Sequence, residues 1–342
     1  MPYKVFVMRK ILYAVLFALA GFQVADAQSL SVIFETDYGN DADDALALDV
    51  ICKYCDAGKF RLLGVSTHKE GKNICEAVDG SLNWYGYRKV PVARSPKPVS
   101  RPNDGNHYAD SVVLKRNAKG RIAFRPTHKG RYEDAVEFYR RTLSAQPDSS
   151  VAVISVGFAT NLALLLDSKP DKYSPLNGRE LVAKKVKVLS AMMGCYRDNP
   201  FCEYNVNCDV ASMRKLMAEW PGEIVQNPFE IGERVKYAVK TMRARLSWCD
   251  ANPLLTATVG LNPDPDYRQC QFDVMSVIYL VHPEMFTLSQ NGTISIDERG
   301  FSVFSPSANG RHRFLTATPA QENMLLCEIE EMTSAKPKRQ GK

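Results

Sequence analysis

The sequence predicts an α/β fold: an open, mostly parallel (mixed) sheet flanked by helices, with Rossmann-like alternation. Short runs rich in Val and Ile alternate with longer stretches of helical periodicity, which is the pattern of βαβ units. The chain has 342 residues, 45% of them hydrophobic and 24% charged, so it can bury a large core.

The first 27 residues have the three parts of a secretory signal peptide. Lys4, Arg9 and Lys10 precede an apolar run over residues 11–22, and an A-x-A motif ends at Ala27. The run is shorter than the roughly 20 apolar residues that span a membrane. We therefore expect cleavage after Ala27 and a secreted or periplasmic protein with no membrane anchor.

The remaining chain, residues 28–342, is predicted to form a single domain. Strands are expected over 30–34, 60–66, 151–156 and 186–192, and helices over 43–57, 74–87, 132–143 and 159–166. Residues 95–130 are rich in Pro, Gly, Asn, Lys and Arg, which predicts a long surface segment. Residues 335–342 are predicted to be a flexible basic tail.

Charge and cysteine content limit the partners and the compartment. The formal net charge of +6 is small and scattered, which does not favour nucleic acid as a partner. An oxidising compartment would permit disulfides among the nine cysteines, although the odd count leaves at least one free. Cys52 and Cys55 have helical spacing and are expected to be buried thiols, while a bridge among Cys195, Cys202 and Cys208 is open. The oligomeric state is also open, and a homo-oligomer is one of the alternatives.

An acidic cluster follows the first strand. Five carboxylates lie within ten residues, at Glu35, Asp37, Asp41, Asp43 and Asp44. Such neighbours repel one another, and a cation relieves that repulsion. A hard, oxygen-binding ion such as calcium suits this cluster, which contains no His. The alternative, an acidic first turn that complements the helix dipole, accounts only for Asp43 and Asp44.

This stretch resembles the opening motif of the inosine/uridine-preferring nucleoside hydrolases, D-x-D-x-G-x-D-D, with Glu35 first and two added residues before the final pair. Later segments resemble the family's other blocks in the same order: residues 64–67, 153–163, 192–194, 203–205 and 272–286. The resemblance implies the nucleoside hydrolase fold and hydrolysis of an N-ribosyl bond, which releases base and ribose.

By the same resemblance, this chain would hold Ca²⁺ through Asp37, Asp44, the backbone carbonyl of Val156, and Asp273. Asp37 would also be the catalytic base. The residues that would contact a small nucleoside or other ribosyl substrate are Asp43, Asn73, Met193, Glu203, Asn205 and Phe272. Phe272 stands where related enzymes carry a His, so activation of the leaving group has to come from elsewhere. Stacking on Phe272, Tyr204 or Trp248 would favour a purine.

Simpler interpretations apply to several of these residues. Asn161 is expected to cap a helix, Met193 can be a core residue, and His68 can be a hydrogen-bonded structural side chain. Besides the hydrolase of a common nucleoside, three other functions remain open. The first is a non-catalytic secreted ribosyl- or sugar-binding protein of the same fold, and the second is a hydrolase of a non-standard ribosyl substrate. The third is a metal-dependent phosphatase with Asp37 as nucleophile, although no basic phosphate cradle accompanies that loop.

Overall fold

The structure, a computed structural model, describes residues 29–99 and 108–339. The predicted signal peptide, residues 1–27, lies outside these ranges, so its cleavage stays a prediction. None of the helices within the described ranges combines the length and apolar character that a membrane span requires.

A mixed eleven-stranded sheet forms the centre of the fold. The strands of the described ranges are β1 Leu30–Thr36, β2 Phe60–Lys69, β3 Val92–Val99, β4 Glu133–Asp134, β5 Val151–Ser155, β6 Val186–Met192, β7 Ile224–Asn227, β8 Lys236–Ala238, β9 Arg268–Cys270, β10 Thr287–Leu288, β11 Gly292–Ile296, β12 Ser302–Pro306 and β13 His312–Thr316. Strands β4-β3-β2-β1-β5-β6-β7-β13 lie side by side in that order and run parallel. Strands β10, β11 and β12 join antiparallel beside β13, while β8 and β9 form a separate pair.

Helices cover the sheet and confirm the predicted α/β class. They are α1 Asp43–Asp56, α2 Ile74–Trp84, α3 Tyr108–Leu114, α4 Ala135–Ser144, α5 Thr160–Asp167, α6 Gly178–Lys185, α7 Tyr204–Cys208, α8 Val210–Glu219, α9 Phe229–Arg234, α10 Val239–Arg245, α11 Pro253–Leu261, α12 Asp273–Ile278 and α13 Pro319–Ser334. The predicted strands and helices all form, although β2 runs three residues further than expected, to Lys69.

Strand β1 lies in the middle of the sheet, between β2 and β5. Val32 and Phe34 belong to one hydrophobic core and Ile33 to the other, because successive side chains of a strand point to opposite faces. Covered faces on both sides explain why the centre of the strand, residues 32–34, is apolar. The parallel register aligns the carboxyl ends of β1, β2 and β5, so the loops that follow them meet at one edge of the sheet.

Residues 95–130 differ from the predicted surface segment. Strand β3 continues to residue 99, α3 buries Tyr108 and Val112, and Phe124 is only 1% exposed. The few apolar residues there were too widely spaced to give a periodic signal, so the prediction is corrected for these parts. In the described part of the tail, the Lys338 backbone N–H donates to Asp56 at 2.7 Å. Flexibility of the tail stays a prediction.

All nine cysteines lie in the described ranges, and Cys52, Cys55, Cys75, Cys195, Cys249, Cys270 and Cys327 are free thiols in the structure. Cys52 and Cys55 are buried in α1, as the helical spacing predicted. Burial also raises the pKa of the Cys55 thiol to about 12, so it is an unreactive core side chain.

Candidate active site

A pocket opens beyond the carboxyl ends of the central strands, where ligands bind in parallel α/β sheets. It is formed by the β1–α1 loop, the ends of β5 and β6, and the starts of α7, α9 and α12. The sequence-predicted residues that line it are Asp37, Asp43, Asp44, Val156, Glu203, Asn205, Phe272 and Asp273.

Aspartates form one wall of the pocket. Asp37, Asp43, Asp44 and Asp273 are each at most 5% exposed. Burial raises the pKa of Asp37 to about 6 and that of Asp43 to about 8. Burial, followed by the repulsion of the neighbouring aspartates, raises the pKa values of Asp44 and Asp273 well above the ordinary range. Without a cation, this wall is therefore costly to ionise.

The protein supplies partners for some of these carboxylate oxygens. Thr36 Oγ1 donates to Asp44 Oδ1. Asp43 Oδ2 accepts the backbone N–H groups of Phe272 at 2.8 Å and Asp273 at 3.1 Å. Asp43, which was predicted to bind substrate, thus fastens the β1–α1 loop to the start of α12. Asp37 Oδ2 is buried and has no hydrogen-bond partner, which is unfavourable unless a ligand supplies one.

The carboxylates of the acidic wall suit a hard cation, although they are not arranged around one ion position. Within residues 29–99 and 108–339, no three His, Cys, Asp or Glu side chains are already arranged as ligands of one metal ion. The carboxylates of Asp37, Asp44 and Asp273 nevertheless line the same pocket as Val156, and calcium prefers such oxygen ligands. The residues fit calcium by their chemistry, and binding would have to draw the carboxylates together.

Glu203 and Asn205 form a second polar wall at the start of α7. Glu203 Oε1 accepts the backbone N–H of Asn205 at 2.9 Å, and its Oε2 accepts that of Gly194 at 3.1 Å. Asn205 Nδ2 donates to the Met192 carbonyl at 3.1 Å. Burial raises the pKa of Glu203 to about 7. These contacts join α7 to the end of β6 and hold both side chains at the pocket.

Two predicted substrate contacts lie outside the pocket. Met193 is fully buried in the core on the other face of the sheet, and its neighbour Met192 lines the pocket instead. Asn73 lies at the start of α2, where its Nδ2 donates to Asp110 Oδ1 at 2.8 Å. The structure therefore places Met192, rather than Met193, at the pocket and gives Asn73 a contact with α3.

Aromatic rings form the remaining end of the pocket. Phe229 and Phe272 are stacked, with ring centroids 5.1 Å apart and an interplanar angle of 25°. Phe201 meets Phe229 edge-on at 5.0 Å. Sequence reasoning found Phe272 but missed Phe201 and Phe229, which follow no motif. Of the other two suggested stacking residues, Tyr204 lines the pocket, whereas Trp248 packs against Trp84 at 5.9 Å.

Glu35 is not part of the acidic wall. It is fully buried and accepts hydrogen bonds from Tyr139 Oη at 2.6 Å and Asn161 Nδ2 at 2.7 Å. Its other contact is His68 Nδ1, 2.6 Å away. Asn161 therefore anchors Glu35, whereas Ala159 occupies the N-cap position of α5 that was expected for an Asn161 cap. This buried network lies behind the β5–α5 loop that carries Val156.

Comparisons with known proteins agree with this architecture. The sequence matches the family model described as inosine-uridine preferring nucleoside hydrolase over residues 32–327. It is 22% identical over 271 residues to the pyrimidine-specific ribonucleoside hydrolase RihA of Citrobacter koseri, covering 76% of this chain and 81% of that protein.

Two solved structures have the same fold. One is the plant nucleoside hydrolase PpNRh1, with a TM-score of 0.65 and 17% identity over 90% of this chain and 99% of that one. The other is the inosine-uridine preferring nucleoside hydrolase of Bacillus anthracis, with a TM-score of 0.65 and 15% identity over 89% and 99%.

Proposed function

We propose, on the premise that the chain belongs to the inosine-uridine preferring nucleoside hydrolase family, that it uses calcium to hydrolyse the N-ribosyl bond of a nucleoside. Its general class, a hydrolase acting on N-glycosyl compounds, follows from the family. The observation that carries the finer proposal is the meeting of Asp37, Asp44 and Asp273 beside Val156 in one pocket.

Asp37, Asp44, Asp273 and the Val156 carbonyl would hold the ion. Bound calcium would neutralise the acidic wall, favour deprotonation of a water molecule and hold ribose hydroxyls. The unpartnered Asp37 Oδ2 supports this assignment, because a buried carboxylate oxygen without a donor calls for a cation or a water molecule.

Asp37 is the proposed general base. Its carboxylate takes a proton from water while the water oxygen bonds to C1′ and the bond from C1′ to the base nitrogen breaks, with the electron pair going to the base. Glu203 and Asn205 would orient the ribose by hydrogen bonds to its hydroxyl groups, which reduces the entropic cost of reaching the reactive geometry.

The aromatic end would receive the leaving base. A purine has more surface than a pyrimidine to lie against Phe229 and Phe272, so we propose a purine preference. A non-catalytic ribosyl-binding protein is the second candidate, because Phe272 cannot donate a proton where related enzymes carry a His. If the substrate is a non-standard ribosyl compound, the acidic wall would bind its ribose in the same way. Its leaving group at the aromatic end would then differ from a common base.

The test is release of free ribose by protein purified from residue 28 onward, with purine and pyrimidine nucleosides, in calcium or in chelator. We expect calcium-dependent release that Asp37→Asn abolishes. Asp266→Asn is the matched control, because that side chain is 82% exposed and should leave release unchanged. Calcium binding without release from any nucleoside would replace this proposal with the ribosyl-binding protein or a non-standard substrate.

We also propose that the protein is secreted or periplasmic, with residues 1–27 removed. N-terminal sequencing of the exported protein should begin at Gln28, and retention of the leader would contradict this.

A further inference from the structure

The pocket has few side chains that can give a hydrogen to a leaving base. None of the described residues that line it is His, Lys or Arg. Its aromatic members are Phe201, Phe229, Phe272 and Tyr204, and of these only Tyr204 carries a hydroxyl. Glu203 accepts backbone N–H groups on both of its oxygens and is assigned above to the ribose hydroxyls, not to the base.

Tyr204 lines the pocket and contacts both the loop after β5 and the β1–α1 loop. It is the first residue of α7, and its ring lies 6.1 Å from that of Phe158. Its Oη donates to Asn40 Oδ1, 3.0 Å away in the β1–α1 loop, which also carries the aspartates. The hydroxyl is therefore located at the pocket and is oriented by a neighbour that is itself only 8% exposed.

Asn40 can orient this hydroxyl in either of two ways. In the structure its side-chain oxygen accepts the Tyr204 hydrogen. A 180° turn of the amide would present Nδ2 to Oη instead, so that the hydroxyl accepts from Asn40 and directs its own hydrogen to a ligand. A bound base could thus replace Asn40 as the acceptor of the Tyr204 hydrogen, while Asn40 Nδ2 donates to Oη.

We propose that Tyr204 is the proton donor to the departing base, in the role that Phe272 cannot fill. This inference rests on the proposed hydrolase function. As the bond to C1′ breaks, the electron pair goes to the base, which takes the Tyr204 hydroxyl proton. The attacking water gives its proton to Asp37, and solvent then returns a proton from Asp37 to the Tyr204 phenolate, which restores both groups.

Tyr204→Phe tests this with two substrates, because it keeps the ring and removes the hydroxyl. Nucleosides need help for the base to leave, whereas 4-nitrophenyl β-D-ribofuranoside releases a stable anion that needs no proton. We expect kcat to fall about 100-fold with nucleosides, a typical loss for a missing acid, and to change less than about threefold with the nitrophenyl riboside. Tyr173→Phe is the matched control, since it removes a surface hydroxyl that contacts Glu137.

The outcomes separate the two proposals. If the unaltered protein cleaves neither substrate, the hydrolase function fails. If it cleaves both and Tyr204→Phe has equal effects on them, or no effect, the role of Tyr204 is overturned while the hydrolase function stands. If the variant does not fold, the role of Tyr204 is tested with the unaltered protein. Its rates are then measured on a series of phenyl ribosides whose leaving phenols differ in pKa. A shallow dependence supports a proton donor, and a steep one overturns it.

Discussion

His68 Nδ1 lies 2.6 Å from Glu35 Oε1, with both side chains fully excluded from solvent. His68 Nε2 accepts the backbone N–H of Phe158 at 2.7 Å, so the ring carries its hydrogen on Nδ1 and donates it to Glu35. The pair therefore links β1 and β2 to the loop after β5, which presents the Val156 carbonyl. A histidine near the aspartates acts here as a support for the backbone.

We expect His68→Ala to lower the free energy of unfolding by about 3 kcal/mol, because Glu35 loses a donor and the Phe158 N–H is left buried without an acceptor. Urea denaturation measures this. His282→Ala is the control: that side chain is 29% exposed and pairs with the exposed Glu284, so its loss should cost less than about 1 kcal/mol. Equal losses in the two variants would show that the buried network is not a special source of stability.

The raised pKa of Asp37 predicts how its contribution to stability varies with pH. Burial raises this pKa from the ordinary 3.8 to about 6, so without metal the folded protein keeps a proton that the unfolded chain releases. The contribution is complete below about pH 4 and is lost as the pH rises through 6. Calcium favours the ionised form and should reverse the trend.

The difference in melting temperature between the unaltered protein and Asp37→Asn isolates this effect. In chelator, we expect the unaltered protein to lose stability relative to the variant from pH 4 to pH 7. In saturating calcium, the unaltered protein should gain stability relative to the variant over the same pH range. A difference that does not vary with pH in either buffer would mean that Asp37 is neither strongly buried nor a ligand.

Some of the predicted site residues that line the pocket have local signals in the sequence. The centre of strand β1, residues 32–34, is apolar, and the loop with Asp37, Asp43 and Asp44 comes shortly after it, so strand and acidic loop could be located together. Asp273 and Glu203 are distant in sequence, and their placement came from the family resemblance.

The parts that were missed depend on the tertiary structure. Phe201 lies in an irregular segment and Phe229 begins α9, so the two rings meet only in the folded chain. Glu35 lies two residues before Asp37, yet it faces a buried histidine rather than the pocket, which composition cannot distinguish. Met193 was predicted at the pocket, but its neighbour Met192 lines the pocket, because a shift of one residue along an extended chain changes the face of the sheet.

That one-residue difference predicts opposite results for two adjacent methionines. Met192→Ala should raise KM, because its side chain lines the pocket and its sulfur lies 3.1 Å from Asn205 Nδ2. Met193→Ala should cost about 2–5 kcal/mol of stability through a core cavity while KM stays unchanged. Ribose-release kinetics and urea denaturation of both variants measure this. A rise in KM for Met193→Ala alone would restore the sequence-based assignment.

The stacked pair of Phe229 and Phe272 predicts how base size affects binding. Stacking of a base on an aromatic side chain contributes about 1–3 kcal/mol. We expect Phe229→Leu to raise KM about 10-fold for purine nucleosides and less for pyrimidine nucleosides, which have smaller ring faces. The measurement is KM for inosine and uridine with each variant.

Phe314→Leu is the control for this prediction, because Phe314 also belongs to a stacked pair, with Tyr196 at 4.4 Å, but does not line the pocket. It should lower stability without changing the ratio of the two KM values. If Phe229→Leu raises both KM values equally, the ring shapes the pocket without selecting the base. If it changes neither, the leaving base lies away from the aromatic end, and the purine preference proposed from Phe272 loses its physical basis.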